Sequence, residues 1–339
     1  MKVPGLLAMC LGIPAIHAQV CTPAAAAAKA LDRGDIAEAD RILAPFAAAA
    51  PPCNEVLLNL GRLRAAQKQA KAAEAFYLRY LELAPRDAGG HLRFAQFLFA
   101  VGDYPRADTV SQRAVALDPS NASALTLQGR LLVMKGESAK GQALLEKACK
   151  LDPASADAHF QLGSVLDRTK RHAEAVREFE KVIALDPRNP RAYDFLALNL
   201  EPMGQVDRAE QAYQKGLQLN QGALFDSFLD YNYGRFLMKR NRLAEAKQHL
   251  DKAAELTPDV RAVRYERGKL NLRLGNYAEA RNDAERALNL QDPGKVIINL
   301  QLYNLLQQIY SRLGEKELAR QYAELARTTP VPLRSGSPR

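Results

Sequence analysis

Apolar residues recur along this chain at the spacing of amphipathic helices, and they do so in pairs of short runs. In the stretch 156–189, Phe160, Leu162, Val165 and Leu166 fall on one helical face. After a short break, Val176, Phe179, Val182 and Ile183 fall on another. The pattern predicts one helix over residues 158–168 and a second over residues 173–185. Thr169 to His172 separates them. Asp186-Pro187 stops the second, because a proline clashes with the preceding turn and biases the residue before it away from the helical region.

This two-helix phrase repeats. Pro51, Pro85, Pro119, Pro153 and Pro187 are 34 residues apart, and Pro258 and Pro293 continue the series after 71 and 35 residues. The words around them repeat as well: Ala116-Leu117-Asp118-Pro119, Lys150-Leu151-Asp152-Pro153, Ala184-Leu185-Asp186-Pro187 and Glu255-Leu256-Thr257-Pro258. A glycine marks the break between the paired helices at Gly34, Gly102, Gly136, Gly204, Gly275 and Gly314. Two columns of small residues run through the copies. The eighth place holds Ala27, Gly61, Ala95, Gly129, Gly163, Ala197, Gly234 and Gly268. The twentieth holds Ala39, Ala73, Ala107, Gly141, Ala175, Ala209, Ala246, Ala280 and Ala319. Small side chains let antiparallel helices approach closely, so these columns predict where each pair crosses.

With its 34-residue period, its two small columns, Leu60-Gly61 and Leu162-Gly163 in first helices, Gly102-Asp103-Tyr104 and Gly275-Asn276-Tyr277 at the break, and its closing prolines, the chain resembles the tetratricopeptide repeat family. The resemblance spans residues 19–329, in about nine units starting near 20, 54, 88, 122, 156, 190, 227, 261 and 300. It implies an all-α, right-handed superhelical solenoid whose first helices line a concave groove, and a function in binding protein or peptide. Three features depart from the family pattern. The first unit is alanine-rich, the unit from Pro190 closes on Gln221 instead of proline, and the last carries Gln307 where a small residue belongs. Three extra residues within 220–226 mark a hinge between units, and residues 330–339 are expected to form a disordered tail.

In that geometry the fifth, ninth and thirteenth places of each unit face the groove. The N-terminal half is mixed and partly apolar there, with Leu58, Leu92 and Met134, and with Phe99 at the neighbouring twelfth place. The C-terminal half sets Arg235, Lys239, Lys269 and Arg273 in a square, with Tyr231 and Tyr265 one turn before them and Arg312 in the next unit. Four like charges on neighbouring helices about 10 Å apart repel each other and give the fold nothing. We therefore expect an acidic partner, such as an Asp/Glu-rich segment or the C-terminal carboxylate of a polypeptide. The competing readings are a solvated basic face and the binding of an anionic polymer, an acidic glycan or nucleic acid, along the groove.

Composition narrows the choice. The chain has 339 residues, 47% of them hydrophobic, with abundant alanine and a net charge of +9. Catalytic signatures are absent: there is no His-x3-His, Cys-x2-Cys or Gly-x-Ser-x-Gly, and Gly136 to Gly141 lacks the Lys-Ser/Thr of a phosphate-binding loop. His91 and His159 sit at the fourth place of their units, where packing is expected. The reading is of a non-enzyme with no cofactor and no metal.

The first residues resemble an export signal. Lys2 precedes the mostly apolar run Val3–Ile16, and Ala18 offers a cleavage point, so residues 1–18 are read as a signal peptide and the protein as periplasmic or secreted. Cytoplasmic residence is the alternative. Met9 before Cys10 argues against lipidation, and export argues against nucleic acid as a partner. Cys21 and Cys53 bracket the first unit at neighbouring ends of its helix pair. A disulfide there would close a loop worth roughly 3–4 kcal/mol and needs an oxidising compartment.

Overall fold

In a computed structural model, the described residues are 15–47, 54–221, 226–292 and 297–330, with side chains described from residue 23. They form helices and connecting turns. The chain divides into two compact units, residues 1–165 and 166–339.

The first unit holds α1 (Ala15–Asp32) and α2 (Ile36–Leu43), α3 (Asn54–Ala66) and α4 (Ala70–Leu83), α5 (Ala88–Ala100) and α6 (Tyr104–Leu117), and α7 (Ala122–Met134) and α8 (Ser138–Leu151). These pair in that order as antiparallel hairpins, and the leading helices α1, α3, α5 and α7 also touch in sequence. The division falls within α9 (Ala156–Arg168). The second unit contains α10 (His172–Leu185), α11 (Pro190–Leu200) with α12 (Val206–Leu219), α13 (Leu229–Lys239) with α14 (Leu243–Leu256), α15 (Arg261–Leu274) with α16 (Tyr277–Asn289), and α17 (Asn299–Leu313) with α18 (Lys316–Thr328). Here α11, α13, α15 and α17 touch one after another. Each unit is thus a stack of helical hairpins with its leading helices side by side. No helix among the described residues is long and apolar enough to cross a membrane.

The small columns are the crossing points. Ala27, Ala95 and Ala197 of the first column are fully buried, as are Ala39, Ala73, Ala107, Ala175, Ala209, Ala246 and Ala280 of the second. At the α7–α8 crossing both columns hold glycine, and backbone meets backbone. A Cβ on Gly141 would sit 2.6 Å from the carbonyl oxygen of Gly129 and 2.5 Å from Val133 Cγ2. One on Gly129 would sit 3.0 Å from the Gly141 carbonyl. Backbone faces backbone there, and nothing flexible can yield. Gly268 differs, since its Cβ would meet nothing nearer than 3.4 Å.

Turn chemistry repeats with the hairpins. Asp35, Asp103 and Asn121 accept hydrogen bonds from backbone amides in the first turn of the following helix, and Asp87 accepts two. The residue between paired helices is left-handed at Gly34, Gly102, Gly136, Gly204, Gly275 and Gly314. Lys68, Lys170 and Asn241 take the same conformation, with φ of 60°, 60° and 61°. Those three hairpins keep the turn without its preferred residue, a conformation costing roughly 1–2 kcal/mol for an ordinary side chain.

A second recurrent tie joins successive hairpins. His91 Nε2 and His159 Nε2 each lie 3.1 Å from the carbonyl of the proline six residues earlier, Pro85 and Pro153. Tyr193 and Arg264 donate to Pro187 and Pro258 in the same way, at 3.3 and 2.9 Å. The fourth place therefore packs and also satisfies the carbonyl that each helix-ending proline exposes. In α15 and α16, buried Asp283 accepts from Arg264, Arg267 and Asn271, so this internal carboxylate is fully engaged.

Gly141→Ala and Gly268→Ala should separate the two kinds of crossing. Alanine favours a helix over glycine by about 1 kcal/mol, and overpacking costs about 1–3 kcal/mol. Urea unfolding should find Gly141→Ala destabilised and Gly268→Ala neutral or stabilised. Equal effects would mean that backbone contact does not limit the α7–α8 crossing.

Candidate functional site

The basic face lies in the second unit, on the wall made by α11, α13, α15 and α17. Helical periodicity puts residues four apart on one stripe. Tyr231 and Arg235 share such a stripe on α13, and Tyr265 and Lys269 share one on α15. The Arg235 guanidinium carbon lies 5.3 Å from the Tyr231 ring centre, and Lys269 Nζ lies 5.2 Å from that of Tyr265. Burial pushes the Tyr231 phenol up to about 12 and also raises Tyr265, so both rings are neutral partners for the cations.

The cations are not left to repel one another, and this corrects the sequence-based view that they do nothing for the fold. Buried Glu266 on α15 receives Lys269 at 2.9 Å and Arg235 at 3.9 Å. Glu201, at the end of α11, receives Lys239 at 2.7 Å and the Tyr213 hydroxyl at 2.6 Å. Arg273 donates to the Met238 carbonyl and to Asn241 Oδ1, both at 2.8 Å, and so ties α15 to the α13–α14 turn. Arg312 on α17 is exposed and has no ion-pair partner among the described residues.

The square divides accordingly. Arg235 and Lys239 line a cleft of about 260 Å³ with Leu198, Glu201 and Pro202. Tyr265, Lys269 and Arg273 line another of about 340 Å³, whose far side is Gln301, Asn304 and Gln308 of α17. Arg273 and Arg312 meet across a third of about 590 Å³ with Gln307, Gln308 and Ser311. Tyr231 is 8% exposed and acts as support beneath Arg235, without facing any of these clefts. Cys21 and Cys53 lie outside the residues whose side chains are described.

Sequence reasoning missed Glu201 and Glu266. The available signal for Glu266 was its place three residues before Lys269. It also passed over Asp194, which is 2% exposed, with both carboxyl oxygens accepting from Asn232 Nδ2 at 3.1 and 2.8 Å. Burial first, and then the negative charge of neighbouring Asp226, hold the Asp194 carboxyl well above its usual range. Asp226 is itself buried. Its backbone is clasped by Asn220 at 2.6 and 2.8 Å, and its carboxylate accepts from the Phe228 amide.

These hairpins, crossing at small residues and presenting a side-chain wall from their leading helices, define a helical-repeat protein built for contact with other molecules. The chain belongs to the tetratricopeptide repeat family: two models of that repeat match it, one over residues 126–190 and 231–294, the other over 55–87 and 190–222. Among solved structures, pilF of Pseudomonas aeruginosa is 23% identical with a TM-score of 0.54, over 63% of this chain and 93% of that one. A tetratricopeptide repeat protein from Parabacteroides merdae is 18% identical with a TM-score of 0.55, over 76% of this chain and 98% of that one. At these identities the likeness concerns the fold alone. No curated protein matches the sequence.

Asp194 gives the second unit a pH signature. Because the folded pKa is raised, the folded state holds a proton that the unfolded polypeptide releases above about pH 4. That contribution is complete below the unfolded pKa and is lost as pH rises through the folded one, with a slope of at most ~1.4 kcal/mol per pH unit. Asp194→Asn should flatten this decline in urea midpoints measured between pH 5 and 8. An unchanged slope would place the titration elsewhere.

Proposed function

We propose that the protein is a non-catalytic scaffold that takes an acidic peptide segment or a polypeptide's C-terminal carboxylate on the α15–α17 face of its second unit. The observation that carries this reading is the cleft walled by Tyr265, Lys269 and Arg273 on one side and Gln301, Asn304 and Gln308 on the other, with unpaired Arg312 beside it. Among the described residues, the five basic groups of the wall contact only two carboxylates, Glu201 and Glu266. A surplus of positive charge therefore remains for a ligand carboxylate, while the side-chain amides offer donors and acceptors to an extended backbone. Glu266 sets the selectivity. An incoming carboxylate must draw Lys269 away from it, and a basic segment is repelled by the rest of the wall.

Lys269→Glu combined with Arg312→Glu should weaken binding of an Asp/Glu-rich peptide by about tenfold or more, since rim and wall charges of this kind govern association. Circular dichroism should remain helical, because neither residue is buried, while the urea midpoint should fall, because Lys269→Glu takes the 2.9 Å partner from buried Glu266. Arg273 is a poor choice for the test, since reversing it also breaks its tie to the α13–α14 turn. Unchanged affinity in the double variant would refute the proposed face. Binding that ignores peptide sequence and falls steeply with salt would assign the face to anionic polymers instead.

We further propose that the protein is exported and cleaved before Gln19, on the strength of Lys2 and the apolar run that follows it. In an oxidising compartment Cys21 and Cys53 would then be joined. Intact mass of envelope-derived protein without reductant should give a polypeptide starting at Gln19 and lacking two thiol hydrogens. An intact N-terminus with free thiols would place the protein in the cytoplasm.

A further inference from the structure

The first unit carries a different kind of surface, independent of the basic face. Large apolar residues exposed elsewhere mostly follow the repeat: Leu83, Leu151, Leu185 and Leu256 all stand two places before a closing proline. Val101 and Tyr104, 51% and 43% exposed, recur in kind at Leu274 and Tyr277, but Met134, 48% exposed, follows no such pattern. The thirteenth place is aspartate, alanine, arginine, lysine or proline in the other units, so Met134 is its one large apolar side chain. Tyr104 and Met134 line a cleft of about 330 Å³ with Pro105, Leu131, Asp108 and Lys135, between the start of α6 and the end of α7. That is the small end of the roughly 300–1,000 Å³ of ligand pockets, room for an anchoring side chain and its neighbours. Phe99 continues the apolar wall, its ring centre 5.2 Å from that of Tyr104.

The charges around this cleft specify its occupant. The Arg130 guanidinium carbon lies 4.3 Å from the Phe99 ring centre, and the side chain is exposed with no ion-pair partner among the described residues. The one carboxylate of the lining, Asp108, is occupied. It accepts from Lys135 Nζ at 2.6 Å, Gln128 Nε2 at 2.8 Å and Gln112 Nε2 at 3.1 Å. Burial alone would raise its pKa, but these donors hold it below the usual carboxylate range, so it stays a satisfied anion. An acidic ligand therefore meets an uncompensated guanidinium and a neutralised carboxylate.

We propose that this cleft docks an acidic peptide segment of a partner protein, with one aliphatic side chain seated against Tyr104, Leu131 and Met134 and a flanking carboxylate on Arg130. It is a second docking point, in a different unit from the face assigned above, and it shares with that reading only the premise that the protein binds peptides. A methionine floor suits such a role, because its unbranched thioether adapts to side chains of different shape. Aromatic walls that are already packed pay little ordering cost when the ligand arrives.

The test uses the full-length protein and a fluorescein-labelled peptide of glutamates around a central Leu-Leu, with two controls: Ser-Ser at the centre, and lysines in place of the glutamates. The leucine peptide should bind at least about tenfold more tightly than either control. Met134→Glu should cost it about tenfold or more, Met134→Leu should change it by less than about threefold, and Arg130→Ala should weaken it and flatten its salt dependence. Met134 and Arg130 are exposed, so circular dichroism should match the wild type in all three variants. Because the second-unit face also takes glutamates, the decisive comparison is made in the Lys269→Glu, Arg312→Glu variant, which should keep the preference for Leu-Leu over Ser-Ser. A preference that survives Met134→Glu in that background, or that disappears in the second-unit variant alone, overturns the proposal. So does self-association of the free protein that Met134→Glu abolishes, which would make a second copy the occupant.

Discussion

The whole arrangement depends on how closely the two helices of each hairpin can approach. Where Gly141 faces Gly129 the backbones are in contact, and at every other crossing but that of α17 and α18 an alanine buried to zero exposure sets the distance. A close, fixed crossing fixes the rotation of each leading helix about its axis. That rotation decides which residues face inward and which form the wall. Arg235 of α13 can reach Glu266 of α15, and Arg273 of α15 can reach the Met238 carbonyl of α13, because each crossing holds its leading helix at one rotation. The wall chemistry is thus set by side chains that never appear on it.

The same rigidity explains why a dense basic wall is tolerable. Each cation of the square is held by something the stack supplies: an aromatic face on its own helix, a carboxylate, or a carbonyl of the neighbouring turn. Isolated surface pairs contribute little to stability. Here the pairing acts chiefly on geometry, fixing long side chains that would otherwise sample many rotamers and lose that freedom on binding a ligand. Arg273, spanning from α15 to Met238 and Asn241, makes one leading helix depend on the previous hairpin's turn.

What the sequence made legible was whatever repeats. The period, the crossing columns and the stopping prolines are written many times over, so each copy corrects misreading of the others. The unique residues were harder to read. Glu201 meets Lys239 across 38 positions, and nothing local marks the pair. Asp194 occupies a wall position by register, yet Asn232, also 38 positions away, bonds to it and Asp226 lies beside it. Lys68, Lys170 and Asn241 carry the left-handed turn without glycine, because the helices on either side impose it. The misjudged basic square came from one omission: attention went to the fifth, ninth and thirteenth places, while its counter-charges stand at the sixth and twelfth.

That omission has a general physical meaning for repeat folds. A period of 34 residues tells where a side chain sits but not what faces it, since the facing residue comes from the next copy and is free to vary. Specificity in such a protein must therefore be written in differences between neighbouring copies. The first unit differs from the other repeats at Met134 and gains an apolar notch beside Tyr104. The second differs at Lys269, Asn304 and Arg312 and gains a polar, cationic one. One backbone rule, repeated without change, leaves each unit to present its own chemistry, and a partner with an acidic segment can find a different foothold in each.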